Sequence, residues 1–205
     1  MPISVSMFGH GGHAKVVADA MLSLGYGLKE IFDACPRSGS PGIFQNTTSL
    51  PLPDQLPRDC NWHIAIGNNI DRSRILGKYA ESRHSLVTMV HPRATVSAFS
   101  QLGVGSFIGA NGIVAADSSL GAACIINHGA VVDHDCRLGD AVHIAPNAAL
   151  GGGVSVGSLA LVGAGATVLP NLTIGERAII GAGAVVTTNI SAGQVVIGIP
   201  GRPKG

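Results

Sequence analysis

The run Leu120-Gly121-Ala122-Ala123-Cys124-Ile125, Ile126-Asn127-His128-Gly129-Ala130-Val131, Val132-Asp133-His134-Asp135-Cys136-Arg137 opens each block of six with an aliphatic residue and places a small one four positions later. Extended in both directions, the aliphatic position runs Val90, Val96, Leu102, Ile108, Val114 and onward to Val186 and Ala192, and seventeen of its eighteen residues are Leu, Ile or Val. The second position runs from Ala94 to Val196, and fifteen of eighteen are Ser, Ala, Val or Cys. Gly follows the aliphatic residue in ten blocks, invariably at Gly103, Gly121, Gly139, Gly157, Gly175 and Gly193. A helix of 3.6 residues per turn would scatter positions six apart around its cylinder. A short strand and a tight turn per block do fit, with three blocks closing one triangular coil. Eighteen blocks from Val90 to Ala192 predict six coils of a parallel β-helix without a phase slip, the glycines supplying unusual backbone angles at the turns.

This architecture accounts for a composition that is otherwise odd. The chain has 205 residues, 29 of them Gly, with 12% charged and 4% aromatic residues. A flat face filled by one aliphatic and one small side chain has no room for rings. With 46% hydrophobic residues and net charge +1 the chain is not disordered. Its 13 Lys+Arg against 12 Asp+Glu, without a basic run, give no nucleic-acid footprint. No stretch is long and apolar enough for a membrane span. Met1 to Phe8 lacks the basic start of a secretory signal. Cys35, Cys60, Cys124 and Cys136 form no CxxC pair, which suits a reduced, cytoplasmic setting.

Charge divides the chain near Val90-His91-Pro92. Residues 1–89 hold 15 of the 25 charged side chains, and residues 90–197 hold 8. The expected domains are 1–89, 90–197 and a tail over 198–205. In the first, Ile3 to Phe8 reads as a buried strand, Gly9 to Ala14 as a glycine loop, and Val16 to Leu24 as a helix stopped by Gly25. Glu30 to Asp33 and His63 to Ile66 read as further strands, Pro36 to Pro57 as loop, and Asp71 as the cap of a helix to about Arg83. Such alternation predicts a small Rossmann-like α/β domain.

Gly9-x-Gly11-x-x-Ala14 has the dinucleotide-fingerprint form G-x-G-x-x-G/A and lies between a strand and a helix. It presents backbone N–H groups to a phosphate, and Asp33 lies where a ribose hydroxyl is often bound. The domain is short for a full dinucleotide fold, which argues against NAD, and a plain tight βα turn would show the same glycines. In the β-helix, His134 and Asp135 occupy outward slots within the charge cluster Asp133, His134, Asp135, Arg137, Asp140. A neutral imidazole can deprotonate an amine or alcohol near pH 7, and an adjacent carboxylate raises its basicity. A solvated surface pair is the bland alternative. Cys124 and Cys136 fall in the small inward slot, which favours packing over nucleophilic chemistry, and His91 at the domain junction reads as structural.

The hexads, the glycine loop, Ile64-Ala65-Ile66-Gly67-Asn68-Asn69, Asn127 to Cys136, and Gly198-Ile199-Pro200-Gly201-Arg202 together resemble the sialic acid O-acetyltransferase-like sugar acyltransferases. The likeness is strongest to the bacterial UDP-amino-sugar N-acetyltransferases of the bacillosamine pathway. It implies a left-handed β-helix and acetyl transfer from acetyl-CoA to the amine of a nucleotide-linked amino-sugar of the UDP-4-amino-4,6-dideoxy type, without a metal. By the same resemblance His134 is the general base and Asp135 its acidic neighbour, where bacillosamine-pathway members carry Glu. His143, Ala164 and Ala182 match acetyl-CoA contacts, and Gly11, Gly12, His13, Asp33 and Gly67 match the nucleotide-sugar pocket. A homotrimer with active sites shared between subunits is also implied.

Alternatives stay open at this point. They are O-acetylation of sialic acid, N-acetylation of a GDP- or dTDP-linked amino-sugar, a zinc hydratase, or a non-catalytic β-helix scaffold. The hydratases pair histidines as H-x-x-x-x-H, whereas His128, His134 and His143 are six and nine apart. His128 could contact CoA or a neighbouring subunit, or simply be exposed; Arg202 and Lys204 could meet CoA phosphates or belong to a disordered tail.

Overall fold

A computed structural model describes residues 3–38, 42–57 and 60–204. Met1 and Pro2 of the expected first run, residues 39–41 of the expected loop and Gly205 of the expected tail lie outside the described residues. The N-terminal part is a parallel three-stranded sheet of β1 (Ser4–Phe8), β2 (Gly27–Phe32) and β3 (Trp62–Ile64), in the order β2-β1-β3. Helix α1 (Gly12–Ser23) crosses from β1 to β2, and Gly25, at φ +71°, ends it as expected. Helix α2 covers Asn69–Lys78 and is followed by a 3-10 turn at Ala80–Ser85. The cap is not Asp71: the Asn68 side chain accepts from the Ile70 and Asp71 N–H groups, so Asp71 sits in the first turn. Asn68 satisfies the same orphan donors two or three residues on that any cap must reach.

From Met89 onward the chain winds into the expected parallel β-helix, two strand residues per block. One face stacks Met89–Val90, Phe107–Ile108, Ile125–Ile126, His143–Ile144, Leu161–Val162 and Ile179–Ile180. A second begins at Thr95–Val96 and runs through Val131–Val132 to Val185–Val186; a third begins at Gln101–Leu102 and runs through Arg137–Leu138 to Thr173–Ile174. The aliphatic and small slots meet inside as one continuous core from Ile108 to Val196. Each fully buried aliphatic side chain there contributes roughly 1.5–3 kcal/mol. Cys124 and Cys136 are buried in it, and burial pushes the Cys124 thiol up to about 12, so neither is a nucleophile.

Three expectations need correction. The last coil is two residues short, because Ile180 pairs with Val196 and Ile174 with Ile190, steps of sixteen instead of eighteen. Ala192 therefore holds no face position. Apart from Gly193, at φ +70° in the shortened last coil, the glycines after the aliphatic residues do not supply the unusual angles either; the left-handed position is the third turn residue, taken as readily by Asn111, Asp117, Asp135 or Asn147 as by Gly129. Gly103, Gly121, Gly139, Gly157 and Gly175 are required for close approach, since a Cβ there would run into the backbone of the next coil. The tail is ordered through Lys204, with Arg202–Pro203 pairing antiparallel with Val195–Ile197.

The N-terminal domain covers the first face. Phe107 and Ile125 point out of that face into the core made by Val5, Met7, Ala14 and Val17, and Ala123 packs beside Phe8 and Trp62. The aromatic residues that the β-helix cannot hold gather here, with Phe8, Phe32, Trp62 and Tyr79 in ring contact at 5.1–5.7 Å.

Candidate active site

His134 stands on the turn that joins the second face to the third. Its N–H donates to Asp133 Oδ1 at 2.8 Å, and its ring Nδ1 lies 2.7 Å from Asp135 Oδ2. Asp135 reaches this position from the left-handed region, φ 60°, which an Asp tolerates better than most residues. The carboxylate accepts from Nδ1–H, which leaves the Nε2 lone pair, unpartnered among the described residues, to take a proton. The hydrogen bond to Asp135, and next the charge of Asp133, raise the pKa of His134. The ring lies against Gly152 of the next coil, where a Cβ would fall 2.5 Å from both Cε1 and Nε2. Both side chains are largely solvent-exposed, at 60% and 63%.

A cleft of about 740 Å³ opens on the N-terminal domain and is lined by Gly9 to His13, Asp33, Gly67 and the face of α2 that carries Asp71, Arg74 and Lys78. Gly9 sits at φ +115° with the Ala65 carbonyl where its Cβ would be, so the loop can pass close to the end of β3 only as glycine. The N-terminus of α1 has Gly11 as its cap residue with no side-chain cap bond, which leaves its first-turn donors to a ligand. Asp33 lies in the cleft wall, but its Oδ2 accepts from His10 N–H and its Oδ1 from Cys35 N–H, so it holds the loop in shape. Arg37, Arg74 and Lys78 make the cleft cationic; the exposed Arg74–Asp71 contact at 3.1 Å adds little stability.

A second, smaller cleft of about 210 Å³ lies across the Gly67–Ile70 segment, against His143, Leu161 and Ile179. Gly67 belongs to both clefts. Asn127 Oδ1 accepts from His128 N–H at 2.9 Å, so Asn127 Nδ2 is the group facing His143 Nε2 at 3.2 Å. Nε2 is therefore an acceptor and the ring is neutral, with its proton on Nδ1. Burial, and next the charge of Arg72, hold the His143 pKa down to about 4. Burial does the same for His13, to about 3, and for His63, to about 4.

The structure thus brings Gly11, Gly12, His13, Asp33, Gly67 and His143 together along two joined clefts. Ala164 and Ala182 are exposed on the edge between the first and second faces, in the column of Ala110, His128 and Pro146; Ala164 O accepts from Gly183 N–H. His128 is exposed on that edge. His134 and Asp135 are on a different edge, opposite the face that the N-terminal domain covers. His91 is structural, its Nδ1 accepting from Arg93 N–H. Among the described residues, no group of three or more His, Cys, Asp or Glu could hold a metal ion, and no helix is long and apolar enough to cross a membrane. Sequence reading missed Arg72, Asn127 and Gly152. Arg72 carries no signal in a helix rich in polar residues, whereas Asn127 and Gly152 sit in repeat slots and could have been found by asking what each slot faces.

The family described as the PglD N-terminal domain matches residues 4–79, and the bacterial transferase hexapeptide family matches residues 153–188. A mutant of perosamine N-acetyltransferase from Caulobacter crescentus, solved with CoA and GDP-perosamine, is 40% identical, with 98% of this chain and 97% of that one covered and a TM-score of 0.89. The acetyltransferase domain of PglB from Neisseria gonorrhoeae, solved with acetyl coenzyme A, is 33% identical over 100% of both chains, TM-score 0.85. WeeI from Acinetobacter baumannii, 24% identical over 100% of both chains with a TM-score of 0.75, shares the fold. No curated protein matches the chain. The chain belongs to the hexapeptide-repeat sugar acetyltransferases with a PglD-type N-terminal domain.

Proposed function

We propose that this acetyltransferase moves the acetyl group of acetyl-CoA to the amine of a nucleotide-linked amino-sugar. The amine attacks the thioester carbonyl, His134 Nε2 takes the amine proton, the C–S bond breaks, and CoA leaves as the thiol once it has received a proton. Backbone N–H groups stabilise the oxyanion between the two steps. The observation that carries this reading is the His134–Asp135 pair at 2.7 Å, with Nδ1 engaged and Nε2 open. The nucleotide occupies the large cleft, its phosphates at the N-terminus of α1 and the Arg37, Arg74 and Lys78 side chains. The coenzyme lies along His143, Ala164 and Ala182.

Because His134 stands opposite the face beneath the clefts, a chain cannot bring its own base to its own substrates. A homotrimer, each edge of one β-helix meeting the clefted domain of the next, supplies the missing half, with CoA between neighbouring β-helices. The acceptor is a UDP-4-amino-4,6-dideoxy-sugar in one reading. The 40% likeness to a GDP-perosamine complex supports a GDP-linked amino-sugar as the second.

The experiment is a panel of UDP-, GDP- and dTDP-linked amino-sugars with acetyl-CoA, following thiol release. On the substrate that turns over, His134→Ala lowers kcat by about 10²–10⁴-fold. Near-full turnover by that variant at neutral pH overturns the assignment of the base.

A further inference from the structure

Arg72 is the one charged side chain among the largest fully buried groups, 1% exposed, and among the described residues no carboxylate pairs with it. Its five N–H donors meet five acceptors. Nε donates to Ala123 O at 2.7 Å, Nη1 to Ile66 O and Gly67 O, both at 3.0 Å, and Nη2 to Asn69 Oδ1 and Ala141 O, both at 2.8 Å. Ala123 and Ala141 are equivalent turn residues of successive coils, both left-handed at φ 53° and 52°. Asn69 continues the column through its Nδ2 to Leu159 O and Ala160 O. A guanidinium desolvated in this way is costly unless every donor is satisfied, and losing its partners leaves a stranded charge. A plain apolar side chain would have joined the two domains more cheaply.

What the cation adds is direction. Gly67 O receives Arg72, and His143 stands beside Gly67 in the lining of the small cleft. His143 in turn accepts from Asn127. Gly67 is also the residue common to the large and the small cleft.

We propose that Arg72 is a positioning residue for acyl transfer: by orienting the Ile66 and Gly67 carbonyls it holds in place the wall between the acceptor and acyl-donor clefts, beside which His143 stands. It touches neither substrate. The inference rests on the two-cleft reading of the function above. Misplacement of this wall moves the reacting groups out of line after both substrates have bound, so it acts on kcat and spares KM.

The test compares the intact protein with Arg72→Gln and Arg72→Lys, each confirmed folded by circular dichroism and sedimentation. The expected result is a kcat about tenfold lower or more for Arg72→Gln, KM for both substrates within about threefold of the unsubstituted protein, and partial recovery in Arg72→Lys. Nitrogen NMR of ¹⁵N-histidine-labelled protein is expected to show the His143 ring signals displaced in Arg72→Gln, as the wall beside the ring shifts. Folded Arg72→Gln with kcat within about threefold, or with His143 unchanged, overturns the proposal. So does a loss of activity that only tracks the unfolded fraction. If the unsubstituted protein acetylates none of the amino-sugars, the functional reading fails separately, and the NMR still decides the link from Arg72 to His143. Should neither variant fold, Asn69→Ala, which removes one Arg72 acceptor, is read by the same kcat and NMR criteria, and an unchanged kcat and His143 signal overturn the proposal.

Discussion

Gly152→Ala isolates the position of the base from its chemistry. Gly152 does not lie in the left-handed region, so alanine meets no backbone strain there. The added Cβ would sit 2.5 Å from His134 Cε1 and Nε2, against an ordinary carbon contact of about 3.5–4.0 Å. The ring therefore has to move by about 1 Å, and as the exposed end of a side chain it can swing outward at little cost in stability. A displacement of about 1 Å can cost about 10²-fold in rate. The expected outcome is a kcat lower by about 10²-fold with KM for both substrates within about threefold and a melting temperature within about 2 °C. Thiol release at saturating acetyl-CoA and calorimetry read these quantities. A kcat within about threefold of the unsubstituted protein would show that His134 is not the group whose placement controls transfer.

In Asp135→Asn the carboxylate that raises the His134 pKa is gone, so the acid limb of kcat/KM shifts to lower pH; a limb that stays in place or moves upward contradicts the pairing. The buried histidines make the fold acid-labile. His13, His63 and His143 have folded pKa values of about 3, about 4 and about 4, below the ordinary 6.5, so the unfolded chain binds more protons below pH 6.5. Their stability contribution is present above that pH and is lost as pH falls toward 4, at up to about 1.4 kcal/mol per unit for each. By pH 5 the loss is about 6 kcal/mol, and the melting temperature drops by more than about 10 °C relative to pH 7.5; equal melting temperatures would refute it. Gly121→Ala drives a Cβ into Gly139 and Asp140 of the next coil and is expected to cost at least about 3 kcal/mol, read by denaturant titration. A cost under about 1 kcal/mol would mean that the coils can part.

The chain's local pattern settled everything that depends on neighbours six or eighteen residues away. An aliphatic and a small residue in each block can be buried together only in a triangular coil, so the prism, its core and the inward cysteines were readable from Val90 to Val186. The outward slots, including those of His134 and Asp135, followed from the same counting. What local pattern could not carry was the reason for each glycine, because a close approach and a positive φ demand the same residue. Nor could it locate the short last coil, since Ile190 and Val196 fit the six-residue count equally well in either register.

The sequence by itself determined a β-helix with an α/β domain before it, a glycine loop, and a histidine beside a carboxylate. Only the tertiary structure decided which groups face one another. It placed Arg72 under Ala123 and Ala141, set Gly67 between two clefts, and put His134 on the edge away from both. The contacts of Arg72 join residues up to 69 positions apart through carbonyls that every residue owns. A backbone acceptor leaves no mark in a sequence, so contacts made to it become visible only when the chain is folded.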